Sequence, residues 1–234
     1  MHTKTMSQAQ KVRFANASGD TLSAVLELPH GRPPAQFALF AHCFTCSKDL
    51  KSAVAVSRAL TREGFGVLRF DFTGLGQSEG QFASTNFSTS IEDLVSAAQF
   101  LETHYQGPSL LVGHSLGGTA SLFAAERIEG VRAIATIGAP FRPRHVEHLL
   151  SGGLEALMAQ GEAEISIGGR PFTLRKQFIE DIQMQAPEDL LRNLRKPLLL
   201  LHSPQDEVVP ISNAQEIYQA AFHPKSFISL DKAD

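Results

Sequence analysis

The sequence predicts an α/β protein built on a mostly parallel sheet with helices on both faces, and three observations predict it. Short, nearly continuous apolar runs recur at Phe37–Ala41, Gly66–Phe70, Ser109–Val112, Val131–Ile137, Pro197–His202 and Ser226–Leu230. Strands buried on both faces read this way, because neither face meets water. Stretches of helical periodicity fall between them, and such alternation gives parallel strands joined by right-handed crossovers. The 234 residues are 43% hydrophobic and 19% charged, the balance of one globular core, so a single domain over 1–234 is expected.

Lys11–Phe14 and Thr21–Leu28 are β-like, and Ala17-Ser18-Gly19-Asp20 between them has turn chemistry. This hairpin adds antiparallel strands at one edge. Ala53, Val56, Ala59 and Leu60 form a helical stripe that ends near Gly64. Ile91, Leu94, Val95, Ala98 and Leu101 share one face of a second helix, with Thr89-Ser90-Ile91-Glu92 as its capping box. A third helix starts at Gly117, and a fourth covers Asn213–Ala221. Residues 141–196 break the rhythm with two helical stretches around a hairpin, Glu164–Leu174, that turns at Gly168-Gly169. The core is then 11–140 and 197–234, and 141–196 is a cap-like insertion between two core strands. Such an insertion either covers a site or is a structural excursion.

The formal net charge of −3 argues against a nucleic-acid or membrane-surface partner, since both need a basic field. No apolar run approaches the roughly 18 residues of a membrane span. The segment Met1–Gln10 is polar, so no secretory signal is expected. Two cysteines, Cys43 and Cys46, do not make a secreted disulfide framework. A cytoplasmic protein is the simplest reading.

Leu110-Leu111-Val112-Gly113-His114-Ser115-Leu116-Gly117-Gly118 reads as strand, G-x-S-x-G, then helix. A sharp strand-to-helix turn strains the serine backbone, so small residues are needed two before and two after it. Ser115 is therefore the candidate nucleophile, and His114 a wall residue. Downstream, the buried run Leu198–His202 leads into Ser203-Pro204-Gln205-Asp206-Glu207. An acid here matches the chain order Ser…Asp…His and would orient an imidazole. Asp206 is the candidate, with Glu207 as the alternative. The loop His42-Cys43-Phe44-Thr45-Cys46 follows another strand, and in this arrangement the oxyanion donors are the backbone N–H groups of Phe44 and Leu116.

Cys43 and Cys46 with His42 offer too few ligands for a structural zinc site, so no metal is expected; two small packing residues are the favoured reading over a redox pair. Asp71-Phe72-Thr73-Gly74-Leu75-Gly76-Gln77-Ser78 places its third glycine, Gly80, one residue late for a dinucleotide loop. No cofactor is expected.

Together, His42-Cys43-Phe44, Asp71–Ser78, Gly113–Gly117 and Ser203–Val208 resemble the α/β-hydrolase superfamily, near its serine aminopeptidase-like and lysophospholipase-like members. Cys43 departs from the usual glycine. Phe40–Leu50 and Asn86-Phe87-Ser88 resemble bacterial bifunctional proteins that join such a domain to a C-terminal OsmC-like domain, which implies that partner in a longer parent. The resemblance implies a serine hydrolase that cleaves an ester, thioester or amide of a small acyl substrate through an acyl-enzyme. It also places a catalytic histidine after the last strand. The histidines are His2, His30, His42, His104, His114, His145, His148, His202 and His223, and none follows Ser226–Leu230. The expectation is a hydrolase whose C-terminal histidine segment lies beyond residue 234 and whose activity is impaired without it. The competing expectations are a non-catalytic binding module with the same cleft and a thiol-redox protein using Cys43 and Cys46.

Overall fold

The computed structural model describes residues 8–233. It opens with β1 (Gln8–Ala15) and β2 (Thr21–Leu28), paired antiparallel from Gln8 opposite Leu28 to Ala15 opposite Thr21. Asn16 Oδ1 closes their turn by accepting the N–H groups of Ser18 and Asp20, each at 2.9 Å. There follow β3 (Gln36–Ala41), α1 (Lys51–Arg62), β4 (Phe65–Phe70), α2 (Phe87–His104), β5 (Pro108–His114), α3 (Leu116–Ala124) and β6 (Ala133–Ile137). The insertion carries a 3-10 stretch at Pro143–Leu150, α4 (Leu154–Gln160), the β7 (Glu162–Ile167) and β8 (Arg170–Arg175) hairpin, α5 (Lys176–Met184) and α6 (Pro187–Asn193). The chain returns through β9 (Leu198–His202), α7 (Ser212–Ala220) and β10 (Lys225–Ser229).

The main sheet has the order β1-β2-β4-β3-β5-β6-β9-β10. It is antiparallel as far as the β2–β4 pair and parallel from β4 onward. This is the α/β-hydrolase fold. The strand order runs outward in both directions from β3 and β5, so the loops after those two strands meet at the C-terminal sheet edge. Ligands bind in such places.

Three local expectations are corrected. The capping box of α2 is Asn86 with Thr89, one turn ahead of the Thr89–Glu92 box read from sequence. Asn86 Oδ1 accepts the Thr89 N–H at 2.8 Å, and Thr89 Oγ1 accepts the Asn86 N–H at 3.2 Å. Asn86 is extended (φ −149°), whereas Thr89 is already helical, so only Asn86 can stand at the cap. Helix α3 starts at Leu116 rather than Gly117. The insertion holds four helical pieces instead of two, two of them opened by Pro143 and Pro187, which favour a first helical turn.

One sheet face, with Leu39, Leu68, Leu111 and Leu200, packs against α2, α3 and the insertion. The other, with Ala38, Phe40, Val67 and Val112, packs against α1 through Ala53. Past α1 this second face continues over Leu110, Ala135, Ile137, Leu199 and Leu201, which are half-buried around an open groove of about 460 Å³. Among the described residues no helix is long and apolar enough to cross a membrane.

Candidate active site

Ser115 stands between the end of β5 and the first residue of α3 with φ 53° and ψ −129°. A non-glycine residue in that region is strained, and such strain clusters at functional sites. Its N–H donates to Ile137 O at 2.8 Å, so the β5–β6 ladder fixes the turn from below. The flanking glycines are required by contact. A Cβ on Gly113 would fall 2.4 Å from Gly117 O, and one on Gly117 would fall 2.2 Å from His42 O. The absence of a side chain at Gly117 therefore lets α3 lie directly against the loop after β3.

That loop is a tight turn in which the Cys46 N–H donates to Cys43 O at 3.2 Å, with Phe44 and Thr45 at its centre. Thr45 has φ 59°, an unusual value for a β-branched residue. Cys43 and Cys46 are joined by a disulfide. This corrects the reading of two packing thiols: the turn holds their Cα atoms 5.4 Å apart, within bonding range. Phe44 and Leu116 line one small cavity of about 30 Å³. Among the described residues, neither backbone N–H donates to another protein group, which leaves both free for a ligand oxygen.

Contacts from elsewhere fix the loop. Lys48 donates to Asp71 through its N–H at 2.7 Å and its Nζ at 2.5 Å, with both side chains buried. Gly76 N-terminal to Gln77 leaves room for that carboxylate, since a Cβ there would lie 2.3 Å from it. From the insertion, Arg170 donates to Thr45 O, and Phe178 stacks on Phe44 at 5.2 Å between centroids. The Asp71–Ser78 loop stands out in the sequence, but its partner Lys48 does not stand out as such, and nothing in the pattern marks Arg170 or Phe178.

Asp206 lies in the loop after β9. Its Oδ1 accepts the N–H groups of Val208 and Val209 at 3.0 and 2.8 Å. Its Oδ2 faces Gly138 at the end of β6, where a Cβ would sit 3.1 Å away. Glu207 is exposed. His202 is buried, and its Nε2 donates to Val209 O at 2.7 Å and lies 3.5 Å from Asp206 Oδ2, so this ring holds the loop that carries Asp206. Residues after β10 turn back onto the same loop: the Leu230 N–H donates to His202 O, and the Lys232 N–H to Gln205 Oε1 at 3.0 Å.

Two other histidines border the site. Burial lowers the pKa of His42 to about 4, against the hydrogen bond from its Nδ1 to Cys43 O, so the ring is neutral near pH 7. Its Nε2 is buried without a partner. His114 is also lowered by burial, with the Asp206 charge opposing, and its Nδ1 is unpartnered. Across the cavity, burial raises Asp93 to about 6, although it accepts the Thr73 N–H and Oγ1–H. Among the described residues no three His, Cys, Asp or Glu side chains cluster to hold a metal ion.

A family model described as "Serine aminopeptidase, S33" matches residues 46–167. The esterase domain of a Rhodothermus marinus protein is 51% identical, covers 97% of this chain and 89% of its own, and superposes with a TM-score of 0.78. Mouse palmitoyl-protein thioesterase ABHD10, mitochondrial, is 26% identical over 77% of this chain; the chain spans 62% of that relative's length. The structure of Est1E from Butyrivibrio proteoclasticus with ferulic acid is 20% identical over 94% of this chain and 89% of its own, with a TM-score of 0.77, a likeness of fold.

Proposed function

The chain belongs to the serine aminopeptidase S33 family of α/β-hydrolases, and from that premise we propose that it cleaves a small ester or thioester, or an amide, through an acyl-enzyme on Ser115. The observation that carries the reading is the strained Ser115 at the strand-to-helix turn, next in sequence to Leu116, whose N–H, like that of Phe44, is unengaged among the described residues. Ser115 Oγ attacks the carbonyl carbon, and its proton passes to an imidazole. The two N–H groups take the developing oxyanion, which is where fixed dipoles lower a barrier most. The leaving alcohol or thiol departs with the proton, and water then releases the acid from Ser115. Asp206 serves as the acid that orients the imidazole: one oxygen is fixed by two backbone N–H groups, and the other lies 3.5 Å from His202 Nε2.

The proposed base is a histidine carried after β10, because the turn at 230–233 already lies on the acid loop. On this reading residues 8–233 hold nucleophile, acid and oxyanion donors. His114 is the second candidate, favoured by its free Nδ1 and by the Asp206 charge that acts on it. The esterase and thioesterase names of the similar proteins support an ester or thioester over an amide. A cytoplasmic setting, with no nucleic acid or membrane as partner, is part of the same proposal.

Hydrolysis of p-nitrophenyl acetate and butyrate tests it, with the 234-residue chain, a form lengthened past Asp234, and Ser115→Ala and His114→Gln variants of each. The expected result is fast turnover by the lengthened form alone, reduced by more than about 10³-fold in Ser115→Ala. Equal turnover by the short and long forms that is lost in His114→Gln assigns the base to His114. Turnover that survives Ser115→Ala defeats the reading.

A further inference from the structure

The disulfide closes the turn that presents Phe44, and it does little else. Only Phe44 and Thr45 lie inside the ring that Cys43 and Cys46 close. The stabilisation a cross-link gives a fold grows with the loop it closes, so one this short contributes less to global stability than a link between distant segments. Its effect is local. It joins the two ends of a turn whose own backbone hydrogen bond is long, at 3.2 Å, and whose Thr45 holds a positive φ. Both cysteines are half-buried rather than sealed in the core, and Cys43 lines the cavity beside Leu116. Where a compartment keeps thiols reduced, disulfides that form are transient and redox-sensing.

We propose that Cys43 and Cys46 are a reversible dithiol–disulfide site, with a dithiol as its reductant, and that its state sets how firmly the oxyanion loop is held. In the reducing direction a thiolate of the dithiol attacks one cysteine sulfur and the Cys43–Cys46 bond breaks. The second thiol of the reductant then displaces the mixed disulfide. Two electrons and two protons pass to the protein, which gains two thiols, and the reductant leaves as its own disulfide. Oxidation reverses these steps with a disulfide as oxidant. In the reduced form the turn keeps Arg170 on Thr45 O and Lys48 on Asp71, but the link across Phe44 is gone. The consequence for catalysis rests on the acyl-enzyme reading: the oxidised form is the faster one. Loosening one donor lowers kcat by about tenfold, short of the roughly 10²–10³ lost when an oxyanion donor is removed outright.

The test equilibrates the whole chain with a series of reduced-to-oxidised dithiothreitol ratios. Thiols are then alkylated and counted by intact mass, and the reagents are removed. Hydrogen exchange of the segment 41–50 and p-nitrophenyl acetate hydrolysis, in the lengthened form, are measured on each sample. The expected result is a two-thiol transition along the series, faster exchange of 41–50 in the reduced form, and about tenfold lower kcat with KM changed less. The double variant Cys43→Ser/Cys46→Ser matches the reduced protein at every ratio. The proposal is overturned if no disulfide forms at any ratio, or if exchange of 41–50 is the same in both forms. Equal hydrolysis by both forms overturns the control while leaving the hydrolase reading intact. A thiol and exchange response without Ser115-dependent hydrolysis in either form leaves the redox site standing and removes the hydrolase reading.

Discussion

His42 and Asp93 line the same cavity and act on stability in opposite senses. His42 titrates near 4 in the fold against 6.5 when unfolded, so its contribution is complete above pH 6.5 and is lost as the pH falls toward 4. Asp93 titrates near 6 in the fold against 3.8, so its contribution is present below 3.8 and is lost as the pH rises through 6. Each shift is worth about 3 kcal/mol, and between pH 4 and 6 the two nearly cancel. The urea-unfolding free energy of the parent chain should therefore rise less steeply with pH across that window than it would without Asp93, with His114, also lowered by burial, adding to the rise. In Asp93→Asn the cancelling partner is gone, and stability should rise by about 2–3 kcal/mol from pH 4.5 to 6.5. A flat profile in both proteins contradicts the account of these two groups. At this scale the sequence singled out Ser115 and Asp206 through local motifs, and the proposed function rests on them. It did not disclose Lys48 beside Asp71, or Arg170 on Thr45, because the partners lie 23 and 125 positions apart with no periodic pattern joining them.

Among elements, β9 shows what a continuous apolar run conceals. Leu198–Leu201 reads as a strand buried on both faces, yet only Leu198 and Leu200 are buried; Leu199 and Leu201 are half-buried over the open groove. Leu200→Ala should cost about 2–5 kcal/mol of unfolding free energy in the 234-residue chain, and Leu201→Ala about 1 kcal/mol. Equal losses would mean that the groove is covered. The strands themselves were legible because burial forces their composition. The cap of α2 was legible as a motif but misplaced by a turn, since Asn86 and Thr89 both offer capping oxygens and only backbone conformation separates them. The helical pieces of the insertion were only partly legible, because short helices held by packing carry weak periodicity.

Across the whole molecule, the fold brings three separate segments to one edge of the sheet: the turn after β3, the turn at Ser115 after β5 and the Asp206 loop after β9. The insertion reaches the first of these through Phe178 and Arg170, so it touches the turn that carries Phe44 and not only the rim of the sheet. Strand–helix alternation announced this architecture from the sequence alone, because a parallel sheet admits few ways to order its crossovers. It could not announce which face of the sheet stays open, because that depends on which helices pack where. The central claim, that Ser115 carries the acyl group, is tested most directly by trapping it. The lengthened chain is mixed with p-nitrophenyl butyrate and quenched in acid within the first turnovers, and its peptides are mapped by mass. The account predicts one butyryl group, on Ser115, absent from Ser115→Ala. A butyryl group on another residue, or turnover with none on Ser115, would contradict it.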